Sequence, residues 1–454
     1  MAARLIEKVN LSAKGLLRKA QNIFKKVKEP PRGGQGLEKK ISISDCLMSA
    51  LAIFKLKFPS LLQFEESKIE VPIKQNLKNL FGLEKVPCDT YMRERLDEID
   101  PKDLRPAFTS VFSALQRGKE LERFAFLDGK YLLLNDGTGF FSSKKVHCDN
   151  CCEKHHKKDG SITFHHQMLG SVIAHPDYKE VIPLCPEPIM KEDGSTKNDC
   201  ERNAAERWLK DFRREHPHLP VIQVEDGLSS NGPHLRLLIE LNMSFISVVK
   251  PDGNKSLFDW INGFSWDDPD ELEKSQDMFS FIDKEEKTHK FRFVNQVPLN
   301  DTHKDLLVNF IEYWETDKDG KASYHNTWIT DILVTRENAF TIARGGRARW
   351  HIENETFNTL KNQGYHFEHN YGHGKKNLST VFAMLMMLAF LVDQSEQLCC
   401  GLFQGALKQL KSKKSRLWRR IREFFATYLI SSWEILYRAI MAANSRKVPI
   451  LDTS

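Results

Sequence analysis

The sequence predicts an α/β protein whose sheet-forming core is interrupted by a β-rich insertion and flanked by helices at both ends. Three observations carry this. From Phe124 to Val249, short apolar runs and helical stripes succeed one another as three strands, helix, strand, helix, strand. The stretch that follows, residues 251–337, reads largely as further strands. Before Phe124 and after residue 400 the patterning is helical, with basic charge concentrated towards the two ends.

At 454 residues the chain exceeds one ordinary core, so several domains are expected: a helical region over 1–123, a core from 124–250 and 338–400, the insertion over 251–337, and C-terminal helices over 401–454. Apolar residues at 41% and charged residues at 28% describe a globular protein, and a net charge of +6 is mild. Its distribution is not. Met1–Lys28 holds eight basic residues against the single acid Glu7, and Lys408–Arg422 holds eight with none. The second run interleaves Leu410, Leu417, Trp418 and Ile421 with its charges. It suits a helix laid along phosphates or a packed helix with a solvated basic face. Nine cysteines without regular spacing point to a reducing cytoplasm, and no secretory signal is read. Val381–Val392, the longest apolar run, is short for a membrane span and reads as a core helix.

In chain order, the N-terminal region has a basic amphipathic start, a break at Pro30-Pro31-Arg32-Gly33-Gly34 and a helix over Ser44–Lys57. Ile73–Phe81 and a helix from Asp89, its candidate cap, to Ile99 have the outline of a helix-turn-helix presenting Thr90, Arg93 and Glu94. The turn between them is long for that motif, so two helices of a bundle fit as well. Phe124–Leu127 and Tyr131–Leu134 flank Asp128-Gly129 as a hairpin with a primed turn. Apolar runs follow at Ile162–Ala174 and Val181–Leu184. A helix over Asp199–Arg214 carries Ala204, Ala205, Trp208, Leu209 and Phe212 on one stripe. Strand Val221–Val224, helix His234–Leu241 and strand Phe245–Val249 complete the order of a ribonuclease H-like fold. Within the insertion, Lys287–Val297, Ile311–Glu315 and Ser323–Thr330 read as strands, the last two joined by the turn Asp317–Gly320. Trp314 and Trp328 on those strands are candidates to stack on an unpaired base or to serve packing.

Three carboxylates stand out. Asp136 closes the apolar run Tyr131–Asn135 and precedes Gly137-Thr138-Gly139. Asp226 leaves the run Val221–Val224 beside Gly227, with neighbouring Glu225 pointing to the other face by strand alternation. Glu353 lies four residues after Arg349 in Arg349-Trp350-His351-Ile352-Glu353, on one helical face. The competing Asp128 is accounted for by turn chemistry. Each aspartate alone reads equally as a strand-end turn residue. Their order, with 90 residues between the aspartates and 127 from Asp226 to Glu353, is the combined signal.

The stretch from Arg349 through Lys361 to Gly364-Tyr365-His366-Phe367-Glu368-His369-Asn370 resembles the signature helix of the DDE transposases of the insertion-sequence-four group, which carries Tyr, Arg, Glu and Lys at set spacings. The resemblance covers Phe124–Phe390. It implies a ribonuclease H-like core with a β-rich insertion between the second Asp and the Glu. Asp136, Asp226 and Glu353 would hold two Mg²⁺ (or Mn²⁺) ions for cleavage and strand transfer on double-stranded DNA, and Arg349 would contact phosphate. A homodimer is implied when two DNA ends are synapsed, in a cytoplasmic, nucleoid-associated protein with no membrane partner. Two positions depart from the pattern. Gly346 stands where Tyr is expected, and Lys361 falls eight residues after Glu353 instead of seven, with Leu360 in the expected slot. A helix bulge would restore the lysine's direction, and Arg344 and Arg347 are candidates to share the missing tyrosine's task. The alternatives are a DNA-binding relative without catalysis and a nuclease without strand transfer.

A second cluster lies between the first two core strands. Cys148, Cys151, His155 and His156 offer the donors zinc prefers, as a staple for a protruding loop. His165 and His166 read as strand residues.

Overall fold

The structure, a computed structural model, describes residues 10–30, 41–191, 198–263, 276–410 and 414–443. Residues 31–34 of the expected break, and the basic residues Arg4, Lys8, Lys411 and Lys413, lie outside the described residues.

A mixed sheet of eleven strands organises the chain. In order they are β1 (Tyr131–Ser143), β2 (Cys152–His155), β3 (Ile162–Ala174), β4 (Ile182–Pro183), β5 (Glu187–Ile189), β6 (Val221–Glu225) and β7 (Ser244–Val248), then β8 (Gln276–Ile282), β9 (Thr288–Pro298), β10 (Leu307–Thr316) and β11 (Ala322–Thr330). Across the sheet the path runs β2-β3-β1-β6-β7-β11-β10-β9-β8, with β4 and β5 also pairing with β3. β1 lies antiparallel to β3 and parallel to β6, and β6 is parallel to β7. Leu132, Leu133 and Leu134 are all fully buried, as are Ile222 and Val224 beside them. Such continuous apolar runs form because helices cover both faces of the parallel part.

The insertion does not stand apart from this sheet. β11 pairs antiparallel with β7, so its four strands extend the central sheet sideways. The turn at Asp317–Gly320 is as expected, with Gly320 at φ +77° and the Asp317 carboxylate accepting the N–H groups of Asp319 and Lys321. The expected hairpin before β1 is reduced to its turn. Asp128 and Gly129 both take positive φ, but only one bridge, Ala125 to Tyr131, precedes β1. β1 instead runs on to Ser143, so Asp136 lies within the strand.

The N-terminal helices Val71–Phe81 and Asp89–Asp97 leave Thr90 and Glu94 exposed, while Arg93 pairs with Asp89 at 2.9 Å. Asp89 is the first helical residue, not the cap; Cys88 holds that position. The basic C-terminal helix, Lys414–Thr427, buries Leu417, Trp418, Ile421, Phe424 and Phe425, which makes it a packed helix. Arg419 and Arg420 on its outer side pair with Glu423.

The apolar run around Val381 belongs to helix Leu378–Cys399, whose 22 residues are enough to cross a membrane. Its apolar stretch is wholly buried inside the protein. One hydrophobic cluster runs around it from Leu11 to Ile440, joining the N-terminal helices, the sheet and the C-terminal helices. Near its end the helix buries two acids, Asp393 and Glu396. Lys55, on helix Ile43–Lys55, pairs with both, and Lys57 pairs with Asp393 at 2.6 Å. Tyr365 donates to Asp393 and Tyr437 to Glu396. The ammonium groups also sit over the rings of Trp418 at 5.0 and 4.4 Å.

Removing one member strands the others in apolar surroundings. Lys55→Met is expected to cost about 3–5 kcal/mol in urea unfolding. The double variant Lys55→Met/Glu396→Leu should recover part of that loss, because no orphaned carboxylate then remains at 396.

Candidate functional site

Strand pairing brings the two aspartates into one region. Parallel pairing of β1 with β6 ends at Leu134 opposite Val224. Beyond it, Asp136 continues within β1, while Asp226 lies one residue past the end of β6, near enough for its negative charge to act on Asp136. Asp226 follows the last residue of β6, and its carboxylate accepts the N–H of Leu228 at 3.0 Å, turning the chain away. Glu225 points elsewhere, to His234 at 2.6 Å and Gln223 at 3.1 Å.

Glu353 arrives on the Asp136 side of β1. Arg349 donates to Asp136 at 3.3 Å and to Glu353 at 3.1 Å, so one guanidinium bridges the two acids. Burial pushes the Asp136 carboxyl above the ordinary range; Arg349 opposes this, while the negative charges of Glu353 and Asp226 add to it. The three predicted carboxylates therefore share one electrostatic neighbourhood. Glu353 is half exposed, which leaves the cluster open on the helix side.

Glycines set how closely the helices approach. Gly170 pairs with Asp136 across β1 and β3, and a Cβ there would lie 2.6 Å from the ring of Phe357. The missing side chain lets the segment carrying Glu353 rest directly on the sheet. Gly346 does the same for the preceding helix, Ala339–Arg347, since its Cβ would lie 2.4 Å from Nε1 of Trp328. The place where the resemblance has tyrosine is thus filled by an indole from β11. This corrects the stacking role considered for Trp328, which is fully buried and has no free face for a base. Trp350, next to Arg349, is the exposed aromatic of this region.

The lysine displacement has a structural counterpart. Ile352–Phe357 forms a π-helix, in which the Asn358 N–H reaches back five residues to the Glu353 carbonyl. Such a segment absorbs one extra residue, so Lys361 follows Glu353 in the direction a plain helix would give its seventh successor. Lys361 pairs with Glu368 at 2.8 Å. Arg344 and Arg347 are held within the protein, by Asp177 and by Glu315 respectively.

Glu201 is an acid that the sequence reading passed over. It opens helix Glu201–Glu215 on the opposite face of the sheet, and its carboxylate occupies the space that a Cβ on Gly137 would need. Burial raises its pKa, with Asp136 and Asp226 adding to the shift. Asn135, Glu201, Glu225, Asp226 and His234 line a cavity of about 550 Å³. The only advance signal for Glu201 was an acid in the first turn of a predicted helix.

The cysteine cluster is also redrawn. Cys148, Cys151, His166 and His373 bring one donor atom each within 4.8 Å of one another, all four buried, a set able to hold a metal ion. His155 is exposed and pairs with Glu153, and His156 bonds Thr163, so neither joins it. His166 is a β3 residue as expected, but its ring turns to the thiols.

No protein-family model matches the chain, and no curated protein matches it by sequence.

Replacing Gly346 by the tyrosine of the resembled pattern should destabilise the protein by about 1–3 kcal/mol through overpacking against Trp328. Trp328→Ala in the same chain should relieve part of this. A Gly346→Tyr variant as stable as the parent in chemical unfolding would mean that the helix and β11 are not packed as described.

Proposed function

We propose that the chain is a metal-dependent transposase with a ribonuclease H-like catalytic core, acting on the phosphodiester backbone of double-stranded DNA. What supports this reading most is that Asp136 feels the charges of both Glu353 and Asp226, with Arg349 bridging Asp136 and Glu353. The order and relative direction of β3, β1, β6 and β7, with β4 and β5 outside β3, support the same core.

Hard oxygen donors from three separate elements suit Mg²⁺; burial is the main reason the Asp136 carboxyl is pushed up, and the smaller repulsion from Glu353 and Asp226 is what a cation would relieve. When bound, divalent ions supply an activated water or 3′ hydroxyl and a stabilised leaving oxygen. Asp136, within β1, and Asp226, just past the end of β6, would each offer carboxylate oxygens. Glu353 adds a third from a helix that Phe357 seats on Gly170. Arg349 holds two of these acids in place, and its guanidinium, partly open to solvent, is suited to a phosphate oxygen. Joining two DNA ends requires two copies of the chain. Arg416, exposed on the basic C-terminal helix, offers a further phosphate contact, while Arg419 and Arg420 share their charge with Glu423.

Asp136→Asn, Asp226→Asn and Glu353→Gln should each lower Mg²⁺-dependent cleavage of a DNA bearing the element's ends by about 10³-fold or more, equivalent to ~4 kcal/mol of barrier. End binding in a gel-shift assay should be preserved. Normal cleavage by any one of them removes that residue from the site. Cleavage without strand transfer would instead identify a nuclease, and binding without cleavage an inactive relative.

Because Asp136 must be ionised to accept a cation and its pKa is raised, protons compete at a higher pH than for an ordinary carboxylate. Cleavage at subsaturating Mg²⁺ should therefore fall on the acid side beginning above the usual carboxylate range, and recover as Mg²⁺ is raised. An acid limb confined to the ordinary range would place Asp136 outside the reacting cluster.

A further inference from the structure

The buried cysteine–histidine cluster has dimensions that hydrogen bonding alone does not require. A tetrahedral zinc with bonds of about 2.3 Å to sulfur and 2.0–2.1 Å to nitrogen separates two sulfurs by roughly 3.8 Å, and sulfur from nitrogen by roughly 3.6 Å. The Cys148 and Cys151 sulfurs are 3.8 Å apart. Nε2 of His166 lies 3.3 and 3.4 Å from them, and Nε2 of His373 lies 3.3 Å from Cys151. Two thiolates with Zn²⁺ are neutral overall, which suits a site removed from water.

The ligands come from three places in the chain. Cys148 and Cys151 lie in the loop between β1 and β2, His166 on β3, and His373 between Gly372 and Gly374, both at positive φ, in the connection from the π-helical segment to the core helix. The rings are fixed by β1 itself. A bulge between Gly139 and Phe141 lets both Phe140 and Phe141 pack on His166, at 5.6 and 5.9 Å, and Phe141 also lies 4.2 Å from His373. Phe140 is four residues beyond Asp136, roughly 13 Å along the strand, so the cluster is separate from the carboxylates. The connection has further anchors. Asn150 bonds Lys376 and Asn377, and the Asp97 carboxylate accepts the N–H groups of Lys375, Lys376, Asn377 and Leu378.

We propose that Cys148, Cys151, His166 and His373 form a structural zinc centre that clamps the connection between the Glu353 segment and the buried core helix onto the β1–β3 hairpin. All four ligand positions are taken by the protein, so the ion has no open position for substrate, and its work is to order residues 363–377.

Full-length protein from zinc-supplemented cells, dialysed against a weak chelator, should retain about one zinc per chain by elemental analysis. Cobalt exchanged into the site should show tetrahedral d–d absorption and a thiolate charge-transfer band. Lys375 and Lys376 are already exposed, so removing the metal should act on the backbone around them, speeding tryptic cleavage there and lowering the unfolding midpoint by on the order of 5 °C. Cys148→Ser/Cys151→Ser should lose zinc, whereas His155→Ala/His156→Ala and Asp136→Asn should keep it. Should the double cysteine variant fail to fold, stoichiometry and the cobalt spectrum of the parent protein decide. Zinc well below half an equivalent, a Cys148–Cys151 disulfide in the purified protein, or a cobalt spectrum without thiolate bands would each overturn the proposal. None of these readouts depends on DNA cleavage.

Discussion

Four charges with almost no water around them hold the chain in one piece. Lys55 and Lys57 come from the first hundred residues, Asp393 and Glu396 from the far end of the core helix. Their partners widen the circle: Tyr365 from the connection after the Glu353 segment, Tyr437 from the last described helix, and Trp418 from the basic one. Such a group is stable only when complete, because each ion is tolerated by virtue of the others. The consequence is positional. The helical N-terminal region, the connection following the Glu353 segment and the C-terminal helices cannot be arranged independently of one another. Lys57 accepts a positive φ to take part, a conformation that an ordinary lysine avoids.

A second constraint governs the acids. Asp136 within β1 and Asp226 just past β6 would have no third acid beside them if the Glu353 segment were held away from the sheet. The absence of a side chain at Gly170 and at Gly346 brings that helical stretch onto β3 and β11. Close packing here converts a spacing along the chain into a cluster in space, and Arg349 neutralises part of the repulsion that results.

Much of this was legible in the residues. The strands β1, β3, β6 and β7 announce themselves by apolar runs, and the aspartates by where those runs end. The displaced lysine even pointed to an irregular helix, since eight residues in place of seven can be reconciled only by a bulge. What was hidden has a common cause, namely that it depends on partners far apart in sequence. His166 lies 15 residues from Cys151 and His373 lies 222, so local spacing favoured the nearby but solvent-facing His155 and His156. Trp328 sits on a strand whose alternation is plain, but only the missing side chain of Gly346 reveals what it faces. Nothing local to Lys55 and Lys57 signals the buried acids that neutralise them, which lie more than 300 residues away. β8 escaped because Asp277 and Ser280 break up an otherwise apolar run.

Twist gives the joining of β11 to β7 a geometric meaning. Successive strands rotate by about 20–25°, so across the four steps from β1 to β10 the strand direction swings through roughly 80–100°. A twist of that general size would turn the strands of the insertion well away from the direction of the strand that carries Asp136. Glu315 on β10 and Trp328 on β11 meet the helix of Gly346 and Arg347 from that side. Movement of the insertion would therefore be transmitted, through the Glu315–Arg347 pair and the Trp328 indole, to the helix that leads directly into Arg349 and Glu353.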